Sequence, residues 1–289
     1  MTDRDSRPNA VGGRYAPSPR PTFDAPTLIR AADARRHIWG DQISGEVADW
    51  IYASTDEIHC LVFGLPAGGE FGHSPEYRTV FGADEVLTVL TGQMALANPE
   101  SGEVVLAGPG RSVWFGPDTW HHAFAHGDDP LRVLEFFAPP PAAGTSGSYA
   151  RTRPYLQEAV YADDRRLGSW PDEPLRERSF HLVGEGDVLW RRDLGVLAGT
   201  VRSSPHLTVS RIEIGAGQAA SIHSHGGQEV LFALDGSLHV RAWFEGVVHV
   251  FELEAEDACF LPRESAHEYR NYGSRLVRAM EAVAPSYRP

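Results

Sequence analysis

The chain contains no lysine: all 26 of its Lys-plus-Arg positions are arginine. A lysine Schiff base and a Walker A phosphate loop are both excluded on that ground, so neither a PLP nor a nucleotide cofactor is expected. Positive charge is scarce as well. Against 39 acidic residues the net charge is −13, which argues against a nucleic-acid or anionic-membrane partner, because both need clustered cations. The two cysteines, Cys60 and Cys259, stand far apart, leaving no CxxC pair and no cysteine zinc cluster. Such sparing use fits a reducing, cytoplasmic compartment. No apolar run is long enough to span a bilayer. Residues 1–25 are polar and rich in Pro, Gly and Arg, with no apolar core segment, and read as a disordered tail rather than a signal peptide.

What is present is a chain of 289 residues, long enough for roughly two domains. It carries 29 glycines and 21 prolines, so turns are frequent, and the apolar segments between them are short and β-rich: EVADWIYAS, IHCLVFGL, EVLTVL, SVWFG, LRVLEFFA, LTVSRIEI, EVLFAL, LHVRAWF, HVFELEA, ACFLP and LVRAMEAVA. Many short strands at regular spacing predict an antiparallel sandwich or barrel. Helical periodicity shows only in PTLIRAADARRHIW near the start and RPYLQEAVYADDRRL in the middle.

An internal repeat organises these strands. The segment from Val47 aligns without a gap on the segment from Val196. At nearby offsets, Asp84 to Gly92 falls on Gln228 to Gly236, and Trp120 onward falls on Ala266 onward, with Arg132 meeting Arg278 and Glu135 meeting Glu281. Two copies of one β unit therefore sit in tandem. The division that follows is a tail at 1–25, a first unit at 26–140, a loop-rich, partly helical connector at 141–180 and a second unit at 181–289.

The second copy concentrates chemistry. His223 and His225 are two apart, a spacing that turns both imidazoles to one face of an extended segment. A Gly226-Gly227 break lets the chain bend and bring Glu229 toward them, and His267 follows on a later strand after Pro262. Three imidazoles and one carboxylate suit one divalent transition metal, Fe, Mn, Ni, Cu or Zn, with positions left open for substrate. The bland alternative is a set of core histidines bonded to each other and to Glu229.

Gly217, His223, His225, Glu229 and Gly236 complete the first motif of the cupin superfamily, and Pro262, His267 and Asn271 meet the second, with Glu256 and Glu264 where glycines are usual. The chain thus resembles a bicupin. The resemblance implies an all-β fold of two tandem jelly-roll barrels, with the three histidines and the glutamate holding a metal inside the second. The first copy is degenerate. His73, Glu85 and His121 survive, with His122 and His126 nearby, but Pro75 replaces the second histidine and an insertion separates His73 from Glu85. These three form a candidate second site, and a structural or ligand-cradling unit is the other reading.

Around the metal motif, alternation puts Tyr269 and Asn271 on the face of His267. Tyr269 is a candidate proton donor or simply fills the interior; Asn271 is a candidate substrate contact or closes a turn. Leu231 and Ala233 continue the face of Glu229 and would wall a substrate pocket. Arg211 is a candidate anchor for a carboxylate, or half of a solvated pair with Glu213. Cys259 reads as a buried hydrophobe. The aromatic cluster Trp114, Trp120 and Phe124 reads as packing before it reads as a stacking cavity.

These residues point to a metal-dependent enzyme acting on a small oxygenated organic molecule. The resemblance favours dioxygenase chemistry with Fe(II) or Cu(II); Lewis-acid isomerisation, dehydration or decarboxylation on the same site is the alternative. A non-catalytic small-molecule binder is the competing class. A homodimer through edge strands is the default assembly.

Overall fold

The computed structural model describes residues 18–74, 79–139, 150–152, 178–285 and 287. The apolar segments named above are all strands in it. One seven-stranded sheet runs, neighbour to neighbour, through Thr27–Ile29, Ala258–Leu261, Gln228–Asp235, Val277–Ala284, Thr208–Ile214, Val196–Ser203 and Leu189–Asp193. The other runs through His181–Val183, Ser112–Phe115, Asp84–Thr91, Leu131–Ala138, His59–Leu65, Gly45–Ser54 and Arg35–Asp41. Strand for strand the two orders are the same, which is how the sequence repeat is expressed in space.

Each large sheet carries a smaller one. Glu70–Phe71, His122–Ala125, Met94–Ala97 and Val104–Ala107 form the first, and Val247–Leu253, Leu238–Phe244 and Ala266–Arg270 the second. Each half is therefore a β-sandwich. Alternation along the strands of the large sheets feeds two cores at once. In Gln228–Asp235, Leu231 and Ala233 point into the C-terminal sandwich, whereas Val230 and Phe232 point the other way, into a core shared with the other large sheet. In His59–Leu65, Leu61, Phe63 and Leu65 fill the N-terminal sandwich and Cys60 and Val62 the shared core. The four sheets thus stack with three apolar layers between them.

Sheet membership crosses the boundaries read from the repeat. Thr27–Ile29 pairs with Ala258–Leu261 in the C-terminal sheet, and His181–Val183 pairs with Ser112–Phe115 in the N-terminal sheet. Each half lends its first strand to the other.

Two expectations change here. The segment PTLIRAADARRHIW is not an amphipathic helix: it gives the strand Thr27–Ile29, one 3-10 turn at Ala31–Asp33 and the strand Arg35–Asp41. Pairing with a partner strand at each end outweighs its weak helical period. The tail expected at 1–25 is docked from residue 18: Ser54 N–H donates to the Pro21 carbonyl at 2.8 Å, and Arg20 donates to the Thr55 carbonyl and Asp56 at 2.7 Å each. Residues 1–17, and the helical segment expected at 153–167, lie outside the described residues. No helix among the described residues is long and apolar enough to cross a membrane.

Glu256 and Glu264, which occupy glycine positions of the motif, adopt left-handed backbone at φ 70° and 58°. The turns keep the shape that glycine would give, and partners hold them there. Arg132 grips the Glu256 carboxylate with two bonds of 2.5 and 2.7 Å, and Tyr52 donates to the Glu256 carbonyl at 2.9 Å, both across the halves.

Candidate metal centre

His223 and His225 lie in the connection that leads from Thr208–Ile214 to Gln228–Asp235, not in a named strand. The connection is pinned all the same. His223 N–H donates to the His267 carbonyl at 2.9 Å and His267 N–H returns a bond of 2.8 Å to His223, a one-residue antiparallel bridge. Glu264 N–H holds the His225 carbonyl at 2.8 Å. The left-handed turn at Glu264 thereby fixes the second histidine as well as the strand that carries the third.

Each imidazole is then set by its own backbone partner. Nδ1 of His223 sits 2.7 Å from the Ser221 carbonyl, Nδ1 of His267 2.8 Å from the Ser265 carbonyl and Nδ1 of His225 2.8 Å from the Tyr287 carbonyl. A carbonyl only accepts, so each Nδ1 carries a proton; the neutral rings of His223 and His267 present a lone pair at Nε2, and His225 does so once its second proton leaves. These donor atoms gather: the three histidines offer ligand atoms within 4.8 Å of one another, as do His225, Glu229 and Glu281. His267 Nε2 lies 3.2 Å from Glu229 Oε2, and His225 Nε2 lies 3.6 Å from Glu229 Oε2 and 3.7 Å from Glu281 Oε1. Four buried atoms of this group, Nε2 of His223 and of His225 and Oε2 of Glu229 and of Glu281, have no hydrogen-bond partner. Buried polar atoms left unsatisfied together are costly. A divalent cation fits them, because oriented imidazoles with orphaned lone pairs beside two carboxylates are what such an ion requires.

Tyr269 lies behind this group. Its hydroxyl donates to Glu229, stands 3.1 Å from Glu281 Oε1 and 3.1 Å from His267 Nε2, and is buried. Burial and the two carboxylates push the phenol's pKa up, so it stays a donor that fixes how the carboxylates point. Burial lowers His225 as well, but the Glu281 and Glu229 carboxylates more than reverse this and bring it up to about 9. Burial takes His267 down to about 4. Glu229 is raised by burial to about 7, while His225 holds Glu281 low in spite of burial. Without a metal, His225 carries the proton that offsets the two carboxylates.

Glu281 was not singled out by motif. The signal existed: a lone carboxylate in the apolar strand LVRAMEAVA, aligned with Glu135 in the repeat. Nothing in the sequence points to Tyr287, whose carbonyl orients His225. Ending the chain after Pro285 removes that carbonyl and is expected to weaken divalent-metal binding about 10- to 100-fold. Competition against a chelating indicator measures this, and an unchanged Kd would show that the tail does not orient the ring.

The other candidates are placed as follows. Leu231 and Ala233 do face inward, and they are fully buried in the packed C-terminal core. Asn271 is occupied by backbone, donating to the Ile214 carbonyl at 2.9 Å and the Arg275 carbonyl at 2.6 Å and accepting from Gly273 N–H at 2.8 Å; it closes a turn. Arg211 is on the far face of its strand, away from the metal motif, and donates to the Gly110 carbonyl of the other half. The cation near the motif is instead Arg191. With Asp193, Leu194 and Tyr287 it lines a cleft that reaches His223 and His225.

In the first half, His121 Nε2 lies 3.9 Å from Glu85 Oε2. His73 is turned elsewhere, its Nδ1 2.6 Å from His122 Nε2 and its ring edge-on to Trp120. Among the described residues no metal-holding group forms there. Trp120 is buried, consistent with packing, and Cys259 packs in the C-terminal core.

Neither a protein-family model nor a curated protein sequence matches the chain. Solved structures do. Oxalate decarboxylase from Bacillus subtilis at pH 4.6 gives a TM-score of 0.65 at 11% identity, covering 93% of this chain and 79% of that one. The formate complex of Lactobacillus farciminis oxalate decarboxylase gives 0.62 at 13%, covering 95% and 90%. A Bacillus subtilis oxalate decarboxylase structure concerned with its Mn(II) centres gives 0.64 at 12%, covering 93% and 80%. At such identities the likeness shows the fold alone, a nearly all-β, cupin-like architecture in agreement with the resemblance carried by the motif residues.

Proposed function

We propose that the chain is a metal-dependent enzyme of lyase type, removing a carboxyl group from a small organic acid at the C-terminal site. The observation that carries this reading is the convergence of Nε2 atoms and carboxylate oxygens that have no other partner. His223, His225, Glu229 and His267 would hold the metal, with Glu281 beside them. A divalent ion there supplies Lewis-acid stabilisation of negative charge on substrate oxygens. Two carboxylates among the donors favour an oxygen-tolerant ion such as Mn or Fe.

The remaining work falls to the protein. Arg191, at the cleft beside His223 and His225, is paired with Asp193 at 3.0 Å and donates to Thr200, so a substrate carboxylate would share this cation with Asp193. Loss of carbon dioxide leaves an electron pair on carbon that must take up one proton. Tyr269 orients Glu229 and Glu281 and takes no part in the bond changes. The solved neighbours are decarboxylases of a small dicarboxylic acid, which supports this reading over the dioxygenase chemistry favoured by the resemblance.

The test is to purify the protein without chelators, measure its metals, and follow carbon dioxide release and oxygen uptake in parallel on oxalate, hydroxy acids, oxo acids, catechols and 1,3-diketones. Near-stoichiometric metal and chelator-sensitive carbon dioxide release, without net oxygen consumption, is expected. Oxygen uptake on a catechol or diketone would return the dioxygenase reading. Tight ligand binding without turnover would favour the binder.

A further inference from the structure

The N-terminal sandwich holds a second cavity that the metal chemistry does not use. Its volume is about 100 Å³, room for several waters or for one small ring and not for a drug-sized ligand. Its walls combine two kinds of group. Phe71, Phe81 and Phe137 present rings, and Asp49, His59 and Glu135 present polar heads. Strand register brings the latter together: Asp49 is opposite Phe63, Ser54 opposite His59, and on the other side of the His59 strand Glu135 is opposite Leu61.

Of these heads His59 lacks the partner that burial demands, Glu135 shares a hydrogen bond with Glu85, and Asp49 lies within electrostatic reach of Glu135. His59 is only 5% exposed, its Nδ1 has no hydrogen-bond partner, and its ring is stacked on Phe137 at 4.3 Å between centroids. Burial drives it down to about 3, so it faces the cavity as a neutral ring. Burial, and then Glu135, raise the Asp49 pKa; burial brings Glu135 up to about 7. The arginine that reaches the cavity, Arg20, is held by the Thr55 carbonyl and Asp56. A small cation is not the match, since no group of three ligand atoms within metal reach forms here among the described residues. A larger cation is, because aromatic rings and carboxylates together form the environment that desolvated ammonium groups prefer.

We propose that the N-terminal sandwich binds an organic cation, a protonated amine on a flat apolar body, with its ammonium between Asp49 and Glu135 and its body against Phe71, Phe81 and Phe137. His59 accepts a further N–H from the ligand. The degenerate half is then a ligand site in its own right, with acids on strands outside the metal motif lining the cavity beside His73 and His121.

Isothermal titration of the full chain with phenethylamine and tryptamine, against phenethyl alcohol and 3-phenylpropionate, tests this. At least one amine is expected to bind about tenfold or more tighter than the alcohol and the carboxylate. Asp49→Asn and Glu135→Gln should each weaken that binding about tenfold, with no change in the metal content of the C-terminal half. Equal affinity for amine and alcohol in the wild-type protein overturns the proposal without recourse to any variant. So does wild-type amine affinity retained by both variants.

Discussion

Replacing His225 with alanine is expected to strip the C-terminal site of most of its metal, weakening binding by about 100-fold or more, whereas His121→Ala leaves metal content unchanged. The contrast follows from what each ring touches. His225 is held at three points: the Tyr287 carbonyl on Nδ1, Glu264 N–H on its own carbonyl, and the shared space with Glu229 and Glu281 at Nε2. Its removal deletes one donor. His121 has Glu85 near its Nε2 and the Thr119 carbonyl at its Nδ1, and Glu85 is already bonded to Glu135, so among the described residues no metal-holding group gathers around it. Elemental analysis and metal titration of both variants read the difference. Equal loss in the two would mean that the halves share the metal or that the N-terminal half holds it.

The part of this site that could be read from the sequence is the part set by local spacing. His223 and His225 at i and i+2, Glu229 after a glycine pair, and His267 followed by Tyr269 all follow from short-range geometry, and the structure brings these five together. Residues whose role depends on which face of a strand is inside were harder. In Thr208–Ile214, Arg211 and Glu213 alternate with Ser210 and Ile212, but the large sheets are buried on both faces. Alternation in such a sheet tells which residues share a side without telling which side holds the site. Arg211 fell on the wrong one. The strand exchange was out of reach for another reason: Thr27–Ile29 is three residues long and finds its partner near the far end of the chain, and no periodicity encodes a pairing of that separation. Glu281 lay between the two cases, marked by its charge in an apolar strand but outside the motif.

Phe260→Ala is expected to destabilise the whole molecule by about 3–5 kcal/mol, and to do so in both halves at once. Phe260 is completely buried at the centre of the layer between the large sheets. Its strand is the one that receives the borrowed Thr27–Ile29, with Thr27 directly across from it, and its ring meets Phe23 at 5.5 Å. On its other side Val230 is its register partner, and Phe232 two residues on packs edge-on to Tyr52 of the first half at 5.3 Å. A cavity at this point therefore loosens the C-terminal sheet, the strand lent to it and the face against which the N-terminal sheet rests. None of these can relax alone, since each large sheet would expose an apolar face if its partner left. Urea unfolding of the metal-free protein keeps ligand linkage out of the comparison. Trp50 and Trp114 in the first half and Trp190 in the second all pack on the shared core, so tryptophan fluorescence and far-UV circular dichroism should shift together in one transition. Two separate transitions, with the N-terminal one unmoved by the substitution, would show that the halves are stable apart and that the exchanged strands contribute little to holding them.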